Sequence, residues 1–299
     1  MKQFNHFRET ITEGGNAVAN VVRINQENTL ATVEKIYSDL LPKLKIKKSD
    51  TALLGSTGKK APRESSGDID IALSATELLK KNNVDTYDEM MNYVVDAIKK
   101  AGYDFKDMRS IGIISIAFPI ENVDGLQPNQ KVQLDLMIVQ SVKYAEWVFY
   151  SPHYLDSQLK GLYRNLLNFS VAKNANLVVN KIDPDTKTPI EWSRYWINNN
   201  EGLKFGTQTN ISPKTGKIVK AVRTLDNKTI SNNPDEIVAF LYGKKYKAND
   251  LLTFEACLKA VLDNGFPHKD KRQIILKTTA EALQREGYPI PESLEKAMK

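Results

Sequence analysis

The chain alternates between two hydrophobic rhythms. From Leu30, apolar positions recur at Val33, Tyr37, Leu40 and Leu44, the spacing of one helix face, with Pro42 interrupting near its end. Thr51-Ala-Leu-Leu54 is a short apolar run closed by Gly55-Ser56. After a polar loop, Asp68-Ile-Asp-Ile-Ala-Leu73 alternates at period two, which is strand behaviour. Thr86 with Glu89 forms a capping box ahead of a helix striped by Met90, Val94, Ile98 and Ala101, and Gly102 stops it. Ile111 to Ile120 and Val132 to Val139 read as two strands, joined by a polar loop with Gly125 and Pro128. Leu155, Leu159, Leu162, Leu166 and Phe169 define another amphipathic helix.

Beyond that helix, periodicity fades from about Asn174 to Asn210, and no element is predicted there. Ser212-Pro213 reads as the N-cap and first residue of a helix carrying Ile218, Val222 and Leu225. Asn233-Pro234 opens another helix that Gly243 stops. Leu251, Phe254, Leu258 and Val261 mark a further one, and a last ends before Gly287. The expectation is a mixed α/β (α+β) protein. A catalytic domain with an N-terminal helix and a short mixed sheet spans 1–140, and a mainly helical second lobe spans 141–299.

A chain of 299 residues is longer than one small core needs, which agrees with two lobes. The net charge of +6 fits an anionic partner, whether a polyanion or a nucleotide. The one cysteine, Cys257, excludes an internal disulfide framework and a cysteine metal cluster. It reads as a small buried residue in a reducing, cytoplasmic setting. MKQFNHFRET lacks the apolar core of a secretory signal, and no window has the length of a membrane span. No membrane partner is expected.

Chemistry concentrates in the strands. On a strand, residues two apart share a face, so Asp68 and Asp70 aim two carboxylates at one point. Left alone they would raise each other's pKa. A hard divalent cation such as Mg²⁺ removes that penalty. Asp135 stands between Leu134 and Leu136 in a run that should be largely buried, where an isolated carboxylate is costly. Three carboxylates on adjacent strands match a two-metal site for in-line displacement at phosphorus.

Gly55-Ser56, a loop, Asp68-x-Asp70 and a later strand aspartate, Asp135, resemble the signature of the polymerase-β-like nucleotidyltransferase superfamily. The resemblance covers roughly residues 50 to 140. It implies that Gly55 lets the backbone approach a triphosphate and that Ser56 hydrogen-bonds its phosphates. Asp68 and Asp70 would hold two Mg²⁺ ions, with Mn²⁺ an alternative. Asp135 would complete the metal site beside an attacking hydroxyl, and pyrophosphate would leave. The nucleotide would lie in the cleft between the lobes.

Other candidates carry two readings each. Ser157, Lys160, Arg164 and Asn168 line up opposite the leucine stripe, either gripping a triphosphate or acceptor backbone or forming a solvated face; Lys173 follows them. Lys59, Lys60 and Arg63 either touch phosphate or stand in a solvated loop. Gly55-Ser-Thr-Gly-Lys-Lys60 lacks the spacing of a P-loop. Asp183-Pro-Asp185 reads as a turn. Trp192, Tyr195 and Trp196 form either a base-stacking surface or a core cluster. Lys217 to Leu225 is loosely similar to a helix of the poly(A)-polymerase and oligoadenylate-synthase branch, but Asp226-Asn227 replaces the lysine-aromatic continuation, and no branch is assigned.

The expected function is therefore metal-dependent transfer of a nucleoside monophosphate from a triphosphate to an acceptor hydroxyl. An RNA, tRNA or DNA 3′ end is the favoured acceptor. The alternatives are a second-messenger synthase, an enzyme nucleotidylating a protein or small molecule, and an inactive nucleotide-binding module.

Overall fold

The computed structural model describes residues 17–299, and of Lys220 its backbone alone. The polar start of the chain, with Gly14-Gly15, lies outside the described residues. The chain forms two compact units that divide between Asp156 and Ser157.

In the first unit β1 (Ile24–Asn25) leads into α1 (Gln26–Asp39). Then follow β2 (Thr51–Leu53), β3 (Ser65–Ser66), β4 (Asp68–Ser74), α2 (Ala75–Asn82), α3 (Tyr87–Lys100), β5 (Phe105–Met108), β6 (Ile113–Pro119), β7 (Lys131–Val139) and α4 (Val142–Val148). Five strands form a mixed sheet in the order β2-β4-β7-β6-β5. β4 and β7 are parallel, and the other neighbours are antiparallel. A parallel pair needs a long crossover; here α2, α3 and the β5–β6 hairpin supply it.

Alternation decides which face is which. Ile69 and Ile71 of β4, Leu134 and Leu136 of β7, and Ile114 and Ile116 of β6 turn toward the main core, where α1 and α3 cover them. The residues between them, including Asp68, Asp70, Ser115, Gln133 and Asp135, belong to the opposite face. The far end of that face is closed by a small apolar cluster of Leu54, Ala72, Val139 and Ala145. α4 is thus part of the first unit.

Local chemistry accounts for the helix ends. Thr86 Oγ1 accepts from the Glu89 amide at 3.3 Å, and Glu89 returns a bond to the Thr86 amide at 3.1 Å, completing the capping box. α1 is polar inside: buried Asn28 accepts from the amides of Val123 and Asp124, and Thr32 from Glu121, which pins the β6–β7 loop to the helix.

The second unit holds α5 (Gly161–Ala175), β8 (Val178–Ile182), β9 (Pro189–Asn198), β10 (Gly202–Ile211), β11 (Ile218–Ser231), α6 (Pro234–Tyr242), α7 (Phe254–Leu262), α8 (Arg272–Arg285) and α9 (Glu292–Met298). Its four strands form an antiparallel meander, β11-β10-β9-β8. The unit therefore combines helices with a sheet, where helices alone predominated in the expectation. The unassigned stretch from Asn174 is largely β8, β9 and β10. The helix expected behind Ser212-Pro213 is instead β11, so the likeness of Lys217 to Leu225 to a family helix falls away. Three shifts of register along β10–β11 break period two, and Ile218, Val222 and Leu225 share helical spacing by coincidence. α5 begins at Gly161, and Leu155, which was counted on its stripe, is 75% exposed. Asp183-Pro-Asp185 is a turn: Asp183 Oδ1 accepts from the Asp185 and Thr186 amides at 2.9 and 2.8 Å. Among the described residues no helix is long and apolar enough to cross a membrane.

Candidate metal centre

The parallel register of β4 and β7 sets Asp70 directly opposite Asp135 and Asp68 opposite Gln133. On the other side of β7, Ser115 of β6 stands opposite Asp135. One carboxylate oxygen from each of Asp68, Asp70 and Asp135 lies within 4.8 Å of the other two. All three residues are partly buried. This is the convergence that the sequence pattern anticipates, built by two strands and one register.

Asp135 is held by two neighbours. Ser115 Oγ donates to its Oδ1 at 2.6 Å, and Gln133 Nε2 donates to Oδ1 and Oδ2 at 3.0 and 3.1 Å. Asp70 accepts no hydrogen bond from another side chain among the described residues. Burial raises the pKa of all three carboxyls. For Asp68 burial acts first and the charge of Asp135 second, against the pull of Lys60 and Arg23, and the result is about 6. Asp70 is pushed well above the carboxylate range by burial, then by Asp68 and Asp135. Burial raises Asp135 too, opposed by the bonds from Ser115 and Gln133.

Three mutually repelling carboxylates with so few donors fit a divalent cation. The donor set is hard oxygen, which suits Mg²⁺ or Mn²⁺. Opposite corners of a Mg²⁺ octahedron are about 4 Å apart. Oxygens that all lie within 4.8 Å of one another are therefore close enough to share an ion.

Gly55 stands against this cluster at the end of β2. Its φ is +59°, and a Cβ there would lie 3.0 Å from Asp70 Oδ2. The positive φ favours glycine, and a Cβ would in addition crowd the Asp70 carboxylate. The turn is tied down by Gly55 N donating to Phe149 O at 3.0 Å and by a bridge to Tyr150. Buried Thr57 accepts from the Asp70 amide at 3.3 Å, which links the turn to β4. Ser56 is partly buried, and its hydroxyl has no hydrogen-bond partner among the described residues.

The basic candidates are placed differently. Lys59 donates to Ser151 O at 3.0 Å and lies over the Tyr150 ring at 4.1 Å. Lys60 donates to Ser65 O at 2.7 Å. Lys160, Arg164 and Lys173 belong to the second unit. Lys160 is exposed at the start of α5, 5.7 Å from the Tyr288 ring centroid. Arg164 is fully buried: Nε donates to Leu251 O at 2.8 Å and Nη1 to Asn165 Oδ1 at 3.1 Å. Asn168 is buried with it and accepts from Tyr242 Oη at 2.5 Å. Arg164 and Asn168 thus form an interior polar network, neither a solvated face nor a row open to phosphate. Cys257 is buried beside them, its thiol pushed up to about 11 by burial.

Ser115, Gln133 and Thr57 were missed in the sequence reading. Ser115 and Gln133 act through cross-strand register, which no local pattern encodes. Thr57 could have been noticed as a small hydroxyl residue between two turn glycines.

In comparison with known proteins, no family model matches the chain and no curated protein matches it.

Proposed function

We propose that the chain is a metal-dependent nucleotidyltransferase, moving a nucleoside monophosphate from a triphosphate to an acceptor hydroxyl. The observation that carries this reading is the meeting of Asp68, Asp70 and Asp135 within 4.8 Å beside the turn at Gly55. A structural carboxylate trio would need basic partners or many donors to offset its repulsion. Here side-chain donors reach Asp135 alone and the basic neighbours Lys60 and Arg23 act on Asp68 without offsetting its raised pKa, which favours a cation-binding role for the set.

In this reading Asp68, Asp70 and Asp135 would together hold the divalent ions. The ions, when bound, lower the pKa of the acceptor hydroxyl and neutralise charge that develops on the phosphates. The chain's own groups do the rest. The Gly55 turn lets phosphate oxygens approach backbone. The Ser56 hydroxyl donates to one of them. Asp135, oriented by Ser115 and Gln133, receives the proton of the attacking hydroxyl. The acceptor oxygen bonds to the α-phosphorus as the bond to the β-phosphate oxygen breaks, and pyrophosphate carries away that electron pair.

The test is release of pyrophosphate and transfer of label from triphosphates labelled on the α-phosphate, with nucleic-acid, protein and small-molecule acceptors. Transfer should require Mg²⁺ or Mn²⁺. Asp70→Asn and Asp135→Asn should each lower it at least about 100-fold. Undiminished transfer in EDTA, or in either variant, would refute the mechanism.

A further inference from the structure

Asp135 depends on Gln133, and Gln133 depends in turn on the point where the described chain begins. Gln133 is 3% exposed and shares one face of β7 with Asp135. Its Nε2 donates to both Asp135 oxygens, at 3.0 and 3.1 Å. Its Oε1 accepts the backbone N–H of Ala17 at 2.7 Å, across 116 residues of sequence. Among the described residues Ala17 is the only donor to that oxygen.

The two ends of this carboxamide are not independent. One end donates and the other accepts, whereas an ionised carboxylate accepts only. Turned over, the Gln133 amide would set Oε1 against Asp135 and Nε2 against the Ala17 N–H. Acceptor would face acceptor and donor would face donor. The Ala17 N–H therefore fixes which end of the amide Asp135 receives. Without it Oε1 would be a buried acceptor lacking a donor, and the orientation useful to Asp135 would lose its support. Ser115 cannot make this choice, because its hydroxyl rotates freely and bonds Asp135 on its own.

The segment that brings Ala17 here is tied down along its length. Val22 N donates to Lys131 O at 2.8 Å, two residues before Gln133 on β7. Arg23 donates to Ser65 Oγ and Ser65 O at 3.0 and 2.8 Å. Ile24 pairs with Ser66 of β3, two residues ahead of Asp68. Gln127 accepts from the Asn25 amide at 2.8 Å and donates to Arg23 O at 2.7 Å. Residues 17–25 thus run from β7 to β3, beside both strands that carry the aspartates.

We propose that Ala17 is a positioning residue for the metal centre, acting through its backbone N–H. It locks the Gln133 carboxamide, which in turn holds Asp135 in place for a divalent cation. Residues 17–25 are then part of the site rather than a leader to it. The inference rests on the metal-dependent reading above, and its main readout is metal binding without any transfer.

The full chain is titrated with Mn²⁺ in the absence of nucleotide, the free ion being followed by electron paramagnetic resonance. Gln133→Leu should weaken Mn²⁺ binding about tenfold or more. Ala17→Pro, which deletes the N–H, should weaken it about fivefold and lower kcat for transfer by a similar factor, with KM for the triphosphate unchanged. Ala17→Gly, which keeps the N–H, should retain most of both. Proline also stiffens the backbone, so the decisive comparison is between backgrounds. In a chain already carrying Gln133→Leu, Ala17→Pro should add no further loss. Equal losses in both backgrounds would show that the segment serves the fold alone, and would overturn the proposal. Mn²⁺ binding that disappears in Asp70→Asn but is indifferent to Ala17→Pro would sink this inference and leave the metal centre standing. Absence of Mn²⁺ binding in the unaltered chain would sink the metal-dependent reading and this inference with it. Mn²⁺ binding that responds to Ala17→Pro as expected, with no transfer to any acceptor, would support the inference and sink the nucleotidyltransferase reading alone.

Discussion

Asp70 shows what the site costs the protein. Two unit charges no more than 4.8 Å apart repel by roughly 1 kcal/mol or more even at the dielectric of water, and an ionised Asp70 faces two such neighbours. Removing its charge relieves that repulsion. Asp70→Asn should therefore melt about 2–4 °C higher than the unaltered chain when both are metal-free and the pH lies above the raised pKa of Asp70, while losing transfer; at lower pH, where Asp70 is already protonated, the two midpoints should converge. Thermal unfolding in EDTA, read beside the activity assay, checks it; a lower midpoint would mean that the carboxylate is structural. The same residue marks how far sequence reaches at this scale. Asp68 and Asp70 were legible because period two needs no tertiary knowledge, and Asp135 because a charge amid leucines has to be explained. Ser115 and Gln133, which orient Asp135, were not legible. Which residues meet across strands depends on register, and register is set by the whole sheet. Arg164 was misplaced for a related reason. Helical spacing gave its angular position on α5 but not which side of α5 the second unit would bury.

Among elements, those with a strong single face were readable. α3 has its capping box and its buried stripe where the pattern puts them. β4, β6 and β7 follow alternation closely enough to fix both faces of the first sheet. The second sheet was hidden. One face of β9 mixes tryptophan with arginine, so polarity does not alternate, and the bulges of β10–β11 interrupt the period. β-branched residues in β11, such as Ile218, Val219, Val222 and Thr224, favour a strand and were outweighed by an accidental helical spacing. The helices around that sheet depend on Arg164. Its bond to Leu251 O ties α5 to the segment before α7. Arg164→Ala should destabilise the second unit by about 2–4 kcal/mol, through lost packing and a carbonyl deprived of its charged donor. Urea unfolding followed by tryptophan emission measures this. A change below about 0.5 kcal/mol would show that the guanidinium serves a ligand rather than the fold.

For the molecule as a whole, protection of backbone amides should map onto sheet position. β4, β7 and β6 each pair on both sides, and nearly all their apolar residues are buried. β8 pairs on one side only and is exposed throughout, with Val178 56% and Ile182 53% accessible. Hydrogen exchange should therefore be slowest in β4 and β7 and fast in β8. Rapid exchange in β7 would contradict the register on which the acidic cluster depends. That register carries one last consequence. Sliding β7 by a single residue along β4 would reverse every side chain it bears, sending Asp135 into the oily layer beneath α1 and α3 and bringing Leu134 out. The misaligned sheet would bury a charge and expose a leucine at once. Assembly of the acidic cluster is therefore proofread by the same energy that assembles the domain, and a chain that has settled this sheet has already brought its three carboxylates together.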